Sequence, residues 1–304
     1  MSARDWKITK ILSGIATKIW AASGGALLIC FILYCFYGGT IAFCLLGVFS
    51  FGIFYNAQDN LLYHPDLPNN SRMYIPLPSM HNLPYEAVNI KTCDNVILHA
   101  FWIKQPEEKC AFAPTFVYFH GNAGNMGHRL QNTWGIYYNL HCNILMIEYR
   151  GYGLSTGSPS EKGFGIDGRS AIDYLYTRHD LDHNQIVLFG RSLGGAVAID
   201  VAADPEYSQK LMCVIVENTF TSIPEMAVEL VHPYVRFLPN IVYKNRFQSI
   251  RKIGKISAPC LFISGLADIL VPPRMMRVLH VRCGSNKKKL LEFTGGSHND
   301  TWVI

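Results

Sequence analysis

A Gly-x-Ser-x-Gly motif at residues 190–194, centred on Ser192, is the part of this sequence best suited to chemistry. It follows an apolar, β-branched run at 186–189 and precedes a run of small residues at 195–203 that is typical of a helix. Between a strand and a helix, this motif forms a sharp turn that exposes the serine hydroxyl for nucleophilic attack. We expect both glycines to be required, because a Cβ at either position would clash with the neighbouring strand or helix.

A second glycine-rich motif, His-Gly-Asn-Ala-Gly-Asn at 120–125, follows the apolar run 115–119. A loop of this composition after a strand can present backbone N–H groups to a developing oxyanion. By position, the donors are predicted to be the N–H of Asn122 and the N–H of Leu193, the residue after the serine. The alternative is a glycine turn that only ends a strand.

A nucleophilic serine needs a general base, and three histidines follow Ser192 in the chain: His232, His280 and His298. His232 lies in an irregular stretch that contains proline, and His280 lies in a run with helical periodicity. His298 comes after the strand-like run 289–293 and a short glycine turn. A loop at a strand end is where an imidazole can reach the serine, so His298 is the predicted base.

The residue that orients this histidine is predicted to be Asp268, which follows the buried-strand pattern at 259–265. A carboxylate there would hold the imidazole in the tautomer that accepts the serine proton. Glu217, at the end of the run 213–216, is the alternative acid; hydrogen bonding at the strand end is the role that we favour for it. The predicted triad is Ser192, Asp268 and His298.

The elements that must position these residues alternate between strands and helices over residues 59–304, which is typical of an α/β fold with a mostly parallel sheet covered on both faces. Eight runs have strand character: 87–91, 96–103, 115–119, 143–148, 186–189, 213–216, 261–264 and 289–293.

Four motifs together resemble the bud-emergence-protein-like branch of the α/β-hydrolases: residues 120–125, 148–155, 190–195 and 297–302. The resemblance implies an α/β-hydrolase fold with an eight-stranded sheet and a membrane-anchored serine hydrolase, with related members acting on acylated proteins. It also implies a helix after the histidine loop. Because the chain ends six residues after His298, we expect this helix to be missing. Its absence is expected to lower both the stability and the activity of the protein.

Residues 19–58 contain no charged side chain over forty positions, about twice the roughly 20 residues that a membrane helix needs. The segment is too long for a cleavable signal peptide. It is predicted to be a transmembrane signal-anchor after a basic tail at 1–18, and a buried core helix is the alternative. The basic flank is N-terminal, so we favour a single span of type II with the catalytic domain lumenal or extracellular. A break at residues 37–40 allows a second interpretation, a helical hairpin with a cytoplasmic enzyme.

Residues 219–257 are too long for an ordinary connection and are rich in aromatic and aliphatic side chains. We interpret them as a cap over the substrate pocket. The net charge of the whole chain is +5; the basic tail and this segment carry it, so it does not indicate nucleic-acid binding. Basic groups beside apolar ones suit an anionic membrane surface, although a solvated charged face would have the same composition.

The nine cysteines show no metal-binding spacing, and most of the six outside the apolar segment are predicted to be buried thiols. We therefore expect no metal and no cofactor. Asn69 and Asn299 begin glycosylation sequons, of which Asn69 is favoured because a glycan at Asn299 would crowd the predicted base.

The leading hypothesis is hydrolysis of an acyl ester or thioester, with a palmitoyl-protein hydrolase as one possibility. The expected partners are the lipid bilayer and an acylated lipid or S-acylated protein. Peptide hydrolysis uses the same machinery and stays open. A catalytically inactive membrane protein that uses the fold for binding is the hypothesis from a different class.

Overall fold

The structure is a computed structural model that describes residues 24–303. These residues form two units: one runs up to Leu62 and includes Pro239–Lys244, and the other comprises Tyr63–Leu238 and the chain from Asn245 onward. The predicted basic tail at 1–18 and the first residues of the predicted apolar segment lie outside the described residues.

The first unit contains two apolar helices, α1 (Gly24–Tyr37) and α2 (Gly39–Leu62). They are separated by Gly38, whose φ of 83° few other residues adopt. Residues of both helices, among them Phe31 and Leu46, line one groove of about 600 Å³. The predicted segment 19–58 is therefore broken at the position where the sequence allowed a hairpin. In the described residues, α2 alone is long and apolar enough to cross a membrane.

The short stretch Pro239–Lys244, predicted as part of the cap, belongs to this first unit. The side chain of Gln58 donates to the carbonyl of Val242 at 2.6 Å and accepts from the backbone N–H of Lys244 at 3.0 Å. The ammonium of Lys244 pairs with Asp59, the first charged residue after the apolar segment. These contacts are long-range in sequence, which is why composition alone assigned the stretch to the cap.

The second unit is built on one eight-stranded sheet. The strands are β1 (Tyr85–Lys91), β2 (Ile97–Ile103), β3 (Thr115–Phe119), β4 (Asn143–Ile147), β5 (Ile186–Arg191), β6 (Cys213–Glu217), β7 (Cys260–Gly265) and β8 (Lys288–Phe293). Their order in the sheet is β1-β2-β4-β3-β5-β6-β7-β8. β1 and β2 are antiparallel, as are β2 and β4, and all other pairs are parallel. The predicted α/β-hydrolase sheet is confirmed, with strand ends shifted by at most two residues.

The central strands β3, β4 and β5 are buried at every position, which explains why their sequences are continuous apolar runs and not alternating ones. Their cover consists of α-helices and short helical turns. The α-helices are α3 (Glu107–Cys110), α4 (Leu130–Leu140), α5 (Glu161–Tyr176), α6 (Leu193–Ala202), α7 (Pro205–Ser208), α8 (Ile223–Leu230), α9 (Ser249–Lys252) and α10 (Pro273–Arg282).

Residues 219–257 hold α8, α9 and three short 3₁₀ turns, so the predicted cap is built from short helical segments. In the described part of the chain all nine cysteines are free thiols. Four of the six outside the apolar helices are buried, as predicted: Cys110, Cys142, Cys260 and Cys283.

Candidate active site

Ser192 lies at the carboxyl end of β5 and immediately before α6, in a backbone conformation that non-glycine residues rarely adopt. Its φ is 54° and its ψ is −119°. Two contacts fix this conformation: the N–H of Ser192 donates to the Glu217 carbonyl at 2.9 Å, and the hydroxyl of Thr219 donates to the Ser192 carbonyl at 2.7 Å. A strained serine at a strand-to-helix turn is the backbone geometry that the motif predicted.

Both glycines of the motif are required by close backbone contacts. A Cβ on Gly190 would lie 2.2 Å from the carbonyl oxygen of Gly194. A Cβ on Gly194 would lie 2.0 Å from the carbonyl oxygen of Phe119, at the end of β3. No side chain fits at either position, so the predicted reason for the glycines is confirmed.

The glycine-rich loop after β3 lies against this turn. A Cβ on Gly121 would lie 3.7 Å from the Cβ of Ser192, which is van der Waals distance. Asn122 is the next residue in the chain. Leu193 is the first residue of α6, and the first N–H groups of a helix have no acceptor within the helix. Residues 122 and 193 are therefore neighbours of Ser192, one following Gly121 and one following the serine itself, and the assignment of their N–H groups as oxyanion donors stays a prediction.

His298 and Asp268 are in direct contact: Nδ1 of the imidazole lies 2.7 Å from Oδ2 of the carboxylate. The other carboxylate oxygen accepts from the N–H groups of Leu270 at 2.8 Å and Val271 at 2.9 Å. The Asp268 side chain is 1% exposed, whereas the histidine side chain is 13% exposed. Because Asp268 binds Nδ1, Nε2 is the ring nitrogen that can accept a proton from a serine hydroxyl.

The histidine loop is held by Asn218, a residue that the sequence analysis missed. Its side-chain amide donates to the carbonyls of Ser297 at 3.1 Å and His298 at 3.2 Å, and to the hydroxyl of Thr301 at 2.8 Å. Its side-chain oxygen accepts from the N–H of Gly265 at 2.8 Å. One buried amide thus joins the end of β6 to the end of β7 and to the histidine loop. The available signal was a polar residue directly after a buried strand.

Glu217, the alternative acid, contacts Arg191 and not the imidazole. Its Oε2 lies 3.0 Å from Nε of Arg191, and both side chains are buried. Burial raises the pKa of Glu217, and the neighbouring guanidinium opposes that rise. This contact between adjacent strand ends is the strand-end role that the sequence analysis favoured for Glu217.

The other two histidines after Ser192 occupy unrelated positions. His232 is exposed and begins a 3₁₀ turn, where its side chain accepts from the N–H of Tyr234. His280 lies on α10 with its ring 5.5 Å from the ring of Phe262. Of the three candidates, His298 is the one paired with a carboxylate.

A buried polar pair beneath the glycine-rich loop was also missed. Nε2 of His120 lies 2.9 Å from Oε1 of Glu148, and both side chains are fully buried. The other carboxylate oxygen of Glu148 accepts from the N–H of Met126 at 3.0 Å. Both residues lie in motifs that the sequence singled out, but the motifs do not show that the two ends of β3 and β4 meet.

The remaining predicted positions lie at the surface. Asn69 and Asn299 are exposed, while the hydroxyl residues of their sequons, Ser71 and Thr301, are buried. Between residues 24 and 303, no cluster of three or more His, Cys, Asp or Glu side chains is arranged to hold a metal ion.

Comparison with known proteins agrees with this architecture. The sequence family described as alpha/beta hydrolase fold matches residues 114–250. Protein bem46 of Schizosaccharomyces pombe is 42% identical over 257 residues, which cover 83% of this chain and 83% of bem46. The chain belongs to the bem46 branch of the α/β-hydrolases. The resemblance that the four motifs predicted is confirmed.

Other members of the bem46 branch extend the similarity. The alpha/beta hydrolase domain-containing protein WAV2 of Arabidopsis thaliana is 40% identical over 81% of this chain and 82% of its own length. An uncharacterised membrane protein of Saccharomyces cerevisiae is 35% identical over 88% of this chain and 91% of its own length. The name of the yeast relative and the length of α2 both point to membrane association.

Solved structures share the fold at low sequence identity. An esterase of Pyrococcus furiosus superimposes with a TM-score of 0.61 at 19% identity, covering 75% of this chain and 91% of the esterase. An acetyl xylan esterase of Paenibacillus sp. R4 has a TM-score of 0.54 at 18% identity, covering 80% of this chain and 93% of that enzyme. These likenesses show the hydrolase fold.

Proposed function

We propose that the protein is a serine hydrolase that cleaves acyl esters or thioesters, with Ser192 as nucleophile, His298 as general base and Asp268 as the residue that orients the base. The observation that supports this most strongly is the 2.7 Å contact between Asp268 and His298. Ser192 lies at the carboxyl end of β5 and Asp268 follows β7, two strands of the same parallel sheet. Carboxyl ends of parallel strands meet at one edge, where α/β folds carry their sites.

In the proposed reaction, Oγ of Ser192 attacks the acyl carbon while Nε2 of His298 takes the hydroxyl proton. The carbonyl oxygen becomes an oxyanion, which accepts hydrogen bonds from the N–H groups of Asn122 and Leu193. Collapse of this intermediate breaks the bond to the leaving alcohol or thiol, and the imidazolium returns its proton to that group. Water then attacks the acyl-serine by the same relay and releases the carboxylic acid.

The surroundings of Asp268 suit this role because they keep it an acceptor in a fixed position. Two backbone N–H groups hold one carboxylate oxygen and leave the other for Nδ1 of His298. A fixed, desolvated carboxylate stabilises the imidazolium that forms during attack, and it needs no reorganisation at that moment.

The substrate class that we propose is a long acyl chain on a lipid or on an S-acylated protein, which makes a palmitoyl-protein hydrolase one form of this activity. Residues 219–257 expose several large apolar side chains, including Val231, Tyr234 and Phe237, all more than 70% exposed. Apolar surface of this kind is typical of a ligand or membrane contact. The apolar helix α2 supports the bilayer as the place where such substrates are met.

This proposal is tested with a series of acyl thioesters and esters from acetyl to palmitoyl, assayed on the full chain below the critical micelle concentration. Each methylene buried by the cap adds about 0.8 kcal/mol, so kcat/KM should rise with chain length until the acyl site is full. Turnover should require Ser192 and fall about 10³-fold or more in Ser192→Ala. A preference for acetyl substrates would overturn the long-chain assignment, and turnover of peptides in their place would favour the peptidase alternative. A folded protein without Ser192-dependent turnover of any acyl substrate would support the inactive binding protein.

Two arrangements of the catalytic domain relative to the membrane are each supported by one observation. The N-terminal basic flank supports a type II span by α2, with the domain lumenal or extracellular. The groove lined by both α1 and α2 supports the hairpin, with the domain cytoplasmic. A glycosidase-sensitive mass that disappears in Asn69→Gln identifies the first arrangement. Digestion of the domain by protease added to the cytosolic side of intact membranes identifies the second.

A further inference from the structure

The chain that follows α2 packs against the glycine-rich loop at 120–125. We call residues 63–76 the post-helix segment. His64 forms a parallel β-bridge with Ala123. The side-chain amide of Asn125 donates to the carbonyls of Ser71 at 2.8 Å and Tyr74 at 3.0 Å. The post-helix segment therefore binds the loop at several separate points.

One hydroxyl joins the post-helix segment to the predicted oxyanion donor. The phenol of Tyr152 donates to the side-chain oxygen of Asn122 at 2.9 Å and accepts from the backbone N–H of His64 at 3.3 Å. The Tyr152 ring is fully buried and packs edge-on against the rings of His120 and Phe164. Burial raises the pKa of this phenol, so the hydroxyl keeps its proton and remains a donor.

The peptide group that carries the Asn122 N–H is also held at its carbonyl end, which belongs to Gly121. Nδ1 of His120 lies 2.7 Å from the carbonyl oxygen of Gly121. A carbonyl can only accept, so Nδ1 carries the proton in this contact. The Gly121 carbonyl and the Asn122 N–H belong to one planar peptide group, and fixing one end of that plane fixes the direction of the other.

We propose that Tyr152 is a positioning residue for the oxyanion site and that the post-helix segment completes this site, so the polypeptide leaving the apolar helix is part of the catalytic apparatus. The inference rests on the proposed serine hydrolase function. It assigns a role to Tyr152, Asn125 and the backbone of His64, none of which touches the substrate.

The test compares Tyr152→Phe with the parent chain, both full length in detergent micelles. The variant keeps the ring and loses only the hydroxyl. We expect kcat for a medium-chain ester to fall about 10- to 100-fold with KM changed by less than about twofold, because the oxyanion donor acts in the transition state. The Ki of an alkyl trifluoromethyl ketone, whose serine adduct carries an oxyanion, should rise by the same factor as kcat/KM falls.

A second variant tests the contacts of the post-helix segment, and a matched control tests the loss of a buried hydroxyl elsewhere in the fold. Asn125→Asp retains the oxygen that accepts from His128 N–H but loses the donors to Ser71 and Tyr74, so it should shift kcat and Ki in the same direction. Tyr137→Phe also removes a buried hydroxyl, one that donates to the Lys104 carbonyl at 3.1 Å, and should change neither value. Active-site titration expresses every rate per folded site.

The outcomes separate this inference from the function on which it rests. Loss of kcat with a parallel rise of Ki in both variants, and no change in Tyr137→Phe, supports the positioning role. Parent-like kcat and Ki in Tyr152→Phe and Asn125→Asp, while turnover still requires Ser192, overturns the positioning role and leaves the hydrolase intact. Lower titratable site concentration with unchanged kcat and Ki per site also overturns it, since Tyr152 would then serve folding alone. Absence of Ser192-dependent turnover in the parent chain overturns the proposed function itself.

Discussion

The surroundings of Ser192 and the cap residues 231–238 differ in which side chains they bury and which they expose. Around Ser192, polar groups such as His120, Glu148 and Asn218 are almost completely buried, and each makes short contacts to a neighbouring strand end or loop. In the cap, Val231, Tyr234 and Phe237 are 72%, 74% and 75% exposed.

This difference separates the part of the molecule that fixes geometry from the part that is available to a ligand. Buried polar groups are costly unless their partners are in place, so a network of them permits few arrangements. Exposed apolar side chains contribute little to folding and become useful when something covers them. Substitutions around Ser192 should therefore change catalysis or stability strongly, and substitutions in the cap should change substrate preference.

The largest effect is expected at Asp268, and Glu217, the other candidate acid, provides the comparison. Asp268→Asn should lower kcat about 10³- to 10⁴-fold, because the neutral amide no longer stabilises the imidazolium or fixes its tautomer. Glu217→Gln keeps an acceptor for Arg191 and should lower kcat per folded molecule less than about tenfold. Steady-state kinetics with active-site titration measure both variants. Equal losses would mean that Glu217 also serves the histidine.

Gly194→Ala should destabilise the protein by about 3 kcal/mol or more, because its Cβ would lie 2.0 Å from the Phe119 carbonyl oxygen. Gly135→Ala is the matched control: it lies within helix α4 with nothing within 4 Å of the added Cβ. The control should gain roughly 0.5–1 kcal/mol from helix propensity. Urea unfolding followed by circular dichroism gives both values. A tolerated alanine at 194 would show that the Ser192 turn is less tightly packed than described.

Phe237→Ser should leave the free energy of unfolding within about 0.5 kcal/mol of the parent value, since surface positions contribute little. We expect it to reduce the palmitoyl-to-acetyl ratio of kcat/KM by about tenfold, the effect of about 1.4 kcal/mol of lost apolar contact. Phe112→Ser provides the comparison, because Phe112 is 78% exposed but lies outside the cap. If both variants shift the ratio equally, the cap has no special part in substrate choice.

The smallest effect concerns acid pH. Burial lowers the pKa of His99 below its ordinary 6.5, with nearby Glu148 opposing the shift. A lowered pKa means that the fold favours the neutral ring, so this stabilisation is fully present above pH 6.5 and is lost as the pH falls below 6.5 towards the lowered value. His99→Gln should therefore reduce the stability lost between pH 8 and pH 5. The exposed His179→Gln should leave that loss unchanged.

The sequence predicted the parts of this molecule that are encoded locally. All eight strands, the conformation of Ser192 and the pairing of Asp268 with His298 follow from apolar runs, glycine positions and the order of motifs. The hydrogen bonds from Asn218 to the histidine loop and to Gly265 could not be predicted, because these partners lie 47 to 83 residues away in the chain. The same holds for Pro239–Lys244, whose contacts with Gln58 and Asp59 span more than 180 residues. Local patterns show where a strand ends, and only the folded sheet shows which ends are neighbours.

The most direct test of the proposed chemistry is the site and rate at which a fluorophosphonate probe labels the purified full chain. The proposed mechanism predicts one adduct per chain on Ser192, identified by peptide mass spectrometry, and none in Ser192→Ala. Labelling should slow about 10³-fold in His298→Ala, because the serine loses its base. A folded chain that carries no adduct, or one labelled on a different serine, would contradict the assignment of Ser192 as the nucleophile.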